Sequence, residues 1–104
     1  MYASIRIYKT KAVDELARIV SEEFAPRIKK VPGFLAYYCL APDKETWVTV
    51  SIFETNPQTE ESNRLAAEFI QNLNMIHVVR RVELFTGEIA THCLADEKPA
   101  SGEQ

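Results

Sequence analysis

The alternation of side-chain types over the first residues is the most telling pattern in the chain. From Tyr2 to Tyr8, alternate positions carry Ala3, Ile5 and Ile7 on one side and Tyr2, Ser4, Arg6 and Tyr8 on the other. A strand presents these two sets on opposite faces. The first set reads as a core stripe. The second is aromatic and hydroxylic where a solvated face would carry lysine and glutamate, so it is expected to be covered by a partner subunit or a ligand.

Helical periodicity follows at once. Val13, Leu16, Ala17, Val20, Phe24 and Ile28 recur at helical spacing, which predicts an amphipathic helix over Val13 to Lys30. Pro26 lacks a backbone donor and is expected to kink or break it near Phe24 to Ala25, and Val31-Pro32-Gly33 ends it. Two apolar runs, Phe34 to Ala41 and Thr46 to Glu54, flank Pro42-Asp43-Lys44-Glu45 and read as a β-hairpin. With a four-residue loop, Tyr37 faces Val50 and Tyr38 faces Thr49. Leu35, Tyr37, Cys39, Val48, Val50 and Ile52 then share one face, and Phe34, Ala36, Tyr38, Leu40, Trp47, Thr49, Ser51 and Phe53 the other. A five-residue loop would slip the pairing by one position and exchange the set from the first of these strands.

Asn56 is expected to cap a second helix, with Pro57 at its first position and Leu65, Ala66, Phe69, Ile70 and Leu73 as its buried stripe. Met75 to Arg81 carries no assignable pattern. Val82 to Thr91 reads as the last strand, with Gly87 a bulge or a close approach of backbones. These elements fall within a single domain, residues 1–94. Residues 95–104 offer little to bury and are expected to form a disordered tail.

The element order is therefore β-α-β-β-α-β, the ferredoxin-like α+β arrangement with a four-stranded antiparallel sheet. Two helices cover one sheet face and leave the other open. The open face is expected to carry Tyr2, Ser4, Arg6 and Tyr8 with Trp47, Thr49, Ser51 and Phe53. So much aromatic surface calls for a homodimer packed sheet against sheet.

Composition narrows the function classes. A chain of 104 residues makes about one domain, and its net charge of -3 speaks against a nucleic-acid partner. No apolar run approaches a membrane span and no signal peptide is legible at the N-terminus, so the expected setting is cytoplasmic, with no membrane partner. Cys39 and Cys93 are expected to be reduced thiols, the first in a strand and the second near a strand end, and no metal site is expected. With only three glycines, the chain has no phosphate-binding loop.

Val31-Pro32-Gly33-Phe34 followed by Tyr37-Tyr38, the run Val50-Ser51-Ile52-Phe53-Glu54, and Glu61-Ser62-Asn63-Arg64-Leu65-Ala66-Ala67 together resemble the dimeric α/β-barrel superfamily. Within it the chain is similar to the antibiotic biosynthesis monooxygenase-like group, over roughly Tyr2 to His92. The resemblance implies a homodimer and an activity somewhere between cofactor-free oxygenation of aromatic polyketides, haem degradation and activities not known. The haem-degrading members carry an Asn on the first strand, with a Trp and a His in the pocket. Here the first strand has Ser4 and Arg6 instead, and neither His77 nor His92 matches the family's ligand, so no cofactor is expected.

The candidate ligand-pocket residues are Ser4, Arg6, Tyr8, Tyr38, Trp47, Thr49, Ser51 and Phe53; Tyr2 belongs to the same aromatic set. They read equally as the wall of a cavity that stacks a planar substrate and as an aromatic interface. Arg6 on a covered face must find an anionic or hydrogen-bonding partner. Glu83, Glu88, a dimer mate or an anionic ligand could supply it, with Tyr38 or Ser51 close by. His92 is a candidate base at the barrel mouth or a solvated side chain, and His77 has the same two readings. Ser4 and Ser51 lack the context of a catalytic nucleophile, and Asn63-Arg64 reads as an exposed or dimer-edge feature. Two functions compete: a cofactor-independent monooxygenase acting on an aromatic or polyketide-like compound, with Arg6, Tyr38, Trp47 and His92 as its pocket candidates, and a non-catalytic homodimer that is structural or binds a small aromatic ligand.

Overall fold

The structure is a computed structural model that describes residues 1–74 and 78–95. Its strands are β1 (Tyr2–Thr10), β2 (Phe34–Asp43), β3 (Thr46–Phe53) and β4 (Val79–Glu88), and they form one antiparallel sheet in the order β2-β3-β1-β4. The helical layer consists of α1 (Val13–Ile19), a π-helical turn over Val20–Phe24, α2 (Ala25–Ile28) and α3 (Asn56–Leu73). The β-α-β-β-α-β order and the antiparallel ferredoxin-like sheet read from the sequence are those observed.

Local chemistry explains the boundaries. Pro26 has no N–H to close a normal α-turn, and the ladder shifts to five-residue spacing just before it, with the Ala25 N–H donating to the Val20 carbonyl. The irregularity expected near Phe24 to Ala25 is therefore a π-turn, and the helix continues beyond it to Ile28. Gly33 has φ of 81°, a conformation that favours glycine, and its carbonyl accepts from the Glu54 N–H at 3.0 Å. The Gln58 side chain occupies the space a Cβ would fill there. Gln58 also caps α3, its Oε1 accepting from the Thr55 N–H at 3.1 Å. Thr55, in extended conformation, is thus the N-cap, and the expected Asn56 lies one residue inside the helix.

The hairpin corrects the expected register. Tyr37 pairs with Ser51, Tyr38 with Val50, Cys39 with Thr49 and Leu40 with Val48, and an irregularity between Leu40 and Asp43 absorbs the slip. Asp43 pairs with Thr46, so Lys44 and Glu45 alone make the turn, held by the Asp43 carboxylate accepting from the Glu45 N–H at 2.8 Å. Pro42 sits inside β2, an edge strand that tolerates a missing donor. Tyr37 and Cys39 consequently share a face with Thr49 and Ser51, and Tyr38 moves to the opposite side with Val50.

The last strand starts three residues earlier than expected and ends at Glu88. Its bulge lies between Glu83 and Arg81, where the register against β1 shifts from Ile7–Glu83 to Tyr8–Arg81. Gly87 pairs regularly with Ala3 and has open space where a side chain would go, so it marks neither a bulge nor a close approach. Met75 to His77 and the tail from residue 96 lie outside the described residues.

The largest correction concerns which sheet face the helices cover. Leu16, Val20, Phe24, Ile28, Ala66 and Phe69 pack onto Tyr8, Trp47 and Phe53, and Ser4, Arg6, Thr49 and Ser51 are buried with them. The face expected to meet a dimer mate is therefore the inner face. The supposed core stripe of Ala3, Ile5 and Ile7 faces away from the helices, alongside Val48, Val50, Tyr38, Leu40 and Phe85. Ile5, Tyr38, Leu40 and Phe85 are exposed, Tyr38 at 61% and Phe85 at 54%. Alternation assigns residues to two faces but does not say which one a helix will cover. The helices took the face with large rings and short hydroxyls, because those rings fill the space and the hydroxyls satisfy the buried charge of Arg6.

A buried guanidinium between sheet and helix

Arg6 is 1% exposed, at the centre of β1. Its neighbours on the adjacent strand bring hydroxyls to it: Thr49, its register partner, and Ser51, two residues along the same face of β3. Arg6 Nε donates to Thr49 Oγ1 at 3.1 Å and Nη2 donates to Ser51 Oγ at 2.7 Å. Nη1 donates to Asn63 Oδ1 at 2.8 Å, which ties the sheet to α3. Asn63 is the hub of the network. Its Oδ1 also accepts from Ser4 Oγ at 2.5 Å, and its Nδ2 donates to Thr86 Oγ1 and Glu60 Oε1, both at 3.2 Å.

Every group bonded to Arg6 is neutral. Glu83 and Glu88, the expected carboxylate partners, make no ion pair with it, and Glu60 is reached only through the Asn63 amide. Glu83 pairs with Ile7 and so belongs to the open face, on the far side of the sheet from the guanidinium. A guanidinium has five N–H donors, and besides Thr49, Ser51 and Asn63 the Tyr8 phenol is within hydrogen-bonding reach of it. Burying a charge without a counter-ion costs several kcal/mol even with good hydrogen bonds. Such an arrangement is costly for a residue whose only role is packing.

Arg6 forms part of the wall of a small interior cavity with Tyr8, Val20, Phe24, Tyr37, Trp47, Thr49, Phe69 and Ile70. Its volume is about 10 Å³, the scale of one water. Rings close it: Phe24 stacks tilted on Phe69 and Tyr37, with centroids 5.0 and 5.7 Å apart. Burial pushes the Tyr8 phenol above its ordinary value, outweighing the opposing charges of Arg6 and Arg81. Burial likewise raises Tyr37 and the Cys39 thiol, the latter against the opposing hydrogen bond of Tyr37 and the charge of Arg6. The lining thus offers one cation and protonated hydrogen-bonding groups.

Of the residues singled out from the sequence, the structure brings Ser4, Arg6, Thr49 and Ser51 into one network, with Tyr8 and Trp47 on the cavity wall. Phe53 is fully buried farther along the sheet, edge-on to Phe34 at 5.8 Å, and Tyr2 is half-buried beside it. Tyr38 is exposed on the opposite face and takes no part. His92 lies four residues beyond β4, exposed and away from the cavity, because that strand ends at Glu88. His77 is outside the described residues. Cys39 lies in β2, and Cys93 is exposed beyond the end of β4.

Asn63, Tyr37 and Phe24 were not recognised as site residues. A signal for Asn63 existed: it follows the buried Thr59 by four residues and precedes the buried Ala66 by three, the spacing of one helix face. Among the described residues no group of three His, Cys, Asp or Glu side chains could hold a metal ion.

No family model and no curated protein matches the sequence. Solved structures do. The N63A mutant of SnoaB, a cofactor-independent oxygenase from Streptomyces nogalater, superposes with a TM-score of 0.68 at 11% identity, over 92% of this chain and 97% of that one. HapK from Hahella chejuensis gives 0.67 at 15% identity, covering 91% and 99% of the two chains. A putative antibiotic biosynthesis monooxygenase from Chloroflexus aurantiacus gives 0.62 at 16%, covering 88% and 96%. The chain shares its ferredoxin-like α+β fold with these proteins. At these identities the likeness is one of fold, and the chemistry must be argued from the residues. No helix among the described residues is long and apolar enough to cross a membrane.

Proposed function

We propose that the chain forms a homodimer through the open sheet face and binds a planar, acidic small molecule between sheet and helices. On this reading it acts as a cofactor-independent monooxygenase on an aromatic or polyketide-like compound. The observation that carries the site is Arg6, a buried cation whose hydrogen-bonding partners are all neutral, in the wall of an aromatic cavity. The open face supports the dimer, since Ile5, Tyr38, Leu40 and Phe85 form an apolar surface of the kind usually covered.

The cavity as it stands holds no ligand-sized space, so binding requires Phe24 and Phe69 to swing aside. The π-turn over Val20–Phe24 carries two of the lining residues and is the natural place for that movement. The Arg6 guanidinium would then hold the oxyanion of a deprotonated phenol or enol by charge-assisted hydrogen bonds. In the reaction proposed, an activated ring CH2 loses two hydrogens and gains one oxygen atom from O2, and the other oxygen atom leaves as water. The substrate supplies all four electrons. Tyr8 and Tyr37 remain protonated and act as hydrogen-bond donors, so the proton must leave through the substrate's own acidity or a water.

The test is oxygen uptake with a panel of hydroxylated anthrones. Uptake of one O2 per anthrone by the wild type, abolished in Arg6→Met, supports the enzyme. Binding without uptake favours the second reading, a non-catalytic small-molecule-binding dimer, and absence of both binding and uptake overturns the site.

A further inference from the structure

The interior cavity shares wall residues with two neighbouring spaces, a recess of about 190 Å³ through Val20, Tyr37 and Trp47 and a more strongly charged groove through Tyr8 and Ile70. This groove, of about 440 Å³, runs between the last turns of α3 and the start of β4, lined by Tyr8, Ala67, Ile70, Gln71, Asn74, Val79, Arg80 and Arg81. Its floor is fixed where the Asn74 side-chain carbonyl accepts from the Val79 N–H at 2.7 Å.

The β4 bulge is what gives this groove its charge. With regular pairing, Tyr8 would face Val82, and Arg81 would face Lys9 on the other side of the sheet. The extra residue at Val82 makes Arg81 the register partner of Tyr8, so its side chain lies on the helix-covered face beside the cavity. The same shift sets Arg80 opposite Lys9, two like charges that disfavour each other. Among the described residues neither Arg80 nor Arg81 has an ion-pair partner, whereas Arg18, Arg27 and Arg64 each do. In a chain of net charge -3, two arginines without an ion-pair partner among the described residues thus line one groove.

We propose that this groove is the mouth of the interior cavity and that Arg81, with Arg80 at the rim, captures a carboxylate or phosphate carried by the ligand whose ring lodges against Tyr8 and Arg6. The inference rests on the interior cavity being a small-molecule site and adds a second acidic group to the ligand. A guanidinium is suited to either anion through its planar fork.

Trp47 is the only tryptophan and lies on the cavity wall, so its fluorescence reports interior occupancy. Three probes of one ring size, naphthol, hydroxynaphthoate and naphthyl phosphate, are titrated into the wild type and Arg81→Gln, an exposed position whose replacement leaves the core intact. In the wild type, one or both acidic probes should bind roughly ten-fold more tightly than naphthol. That advantage should vanish in Arg81→Gln, with naphthol unaffected. The anion that gains most identifies the group the groove takes. Equal binding of all three probes would leave the cavity standing and overturn the mouth. An acidic preference that survives Arg81→Gln would also overturn it. No quenching by any probe would refute the cavity and the mouth together.

Discussion

The two faces of the sheet use opposite kinds of side chain in positions where their roles look interchanged. The face beneath the helices carries Ser4, Arg6, Tyr8, Trp47, Thr49 and Ser51, all able to hydrogen-bond through the side chain and one of them a cation. The face turned away carries Ile5, Ile7, Val48, Val50, Leu40 and Phe85, which would make an ordinary core. In a monomeric domain the apolar face would lie inward. Here the inner face keeps a specific polar arrangement at its centre, and the outer face is left with unspent hydrophobic surface. The proposed site rests on the first pattern and the proposed interface on the second.

The comparison is sharpest where single substitutions should separate the faces. Phe53 is fully buried on the helix-covered side, and Phe53→Ala should cost about 3–5 kcal/mol by chemical denaturation. Ile5→Ala, on the open side, should cost a monomer well under half of that. A larger loss at Ile5 would mean that the open face is already packed in solution and contributes to folding.

Placing a charge on the open face should break self-association instead. Ile5→Glu combined with Tyr38→Glu is expected to weaken a dimer at least 100-fold, about 3 kcal/mol, in sedimentation equilibrium, while the circular dichroism of each chain is unchanged. If the wild type sediments as a monomer at micromolar concentration, the interface reading fails.

Arg6→Met brings two opposing terms into competition. It removes the guanidinium's hydrogen bonds, worth roughly 1.5–3 kcal/mol each, and it also relieves the several kcal/mol cost of a buried charge without a counter-ion. The terms nearly cancel, because the Thr49 and Ser51 hydroxyls can rotate to other acceptors. The expected change in stability is within about 1–2 kcal/mol of zero, alongside loss of anionic-ligand binding. A drop as large as that of Phe53→Ala would mark Arg6 as a structural strut.

The smallest effect appears only in alkali. Burial holds the Tyr8 and Tyr37 phenols above their ordinary value of 10.0. Above that pH the unfolded chain releases protons that the native state retains, so stability is intact below pH 10 and falls as pH rises beyond it. Tyr37→Phe should make that decline shallower in thermal melts taken across alkaline pH. An unchanged slope would show that Tyr37 is not protected in the native state.

Much of the fold was legible because its signals are local. The helical spacing of Val13 to Ile28, the Asn56-Pro57 helix start and the Val31-Pro32-Gly33 turn each depend on neighbours within a few residues. The hairpin register was not legible, because it depends on whether Lys44-Glu45 alone or four residues make the turn, and one slipped position sends Tyr38 to the other face. Asn63 was missed for a related reason. Its meaning lies in two contacts made 57 and 59 residues away along the chain.

The sequence by itself determined the elements, their order and the division of each strand into two chemically distinct faces, since side-chain alternation and helical periodicity are properties of the local backbone. Only the tertiary structure decided which face the helices cover, that a bulge at Val82 turns Arg81 toward Tyr8, and that among the open choices Arg6 meets Thr49, Ser51 and Asn63 and neither Glu83 nor Glu88. Those outcomes follow from competition between whole surfaces, in which ring volume, hydroxyl placement and the cost of one buried charge are settled together, and no short window of sequence contains all the partners.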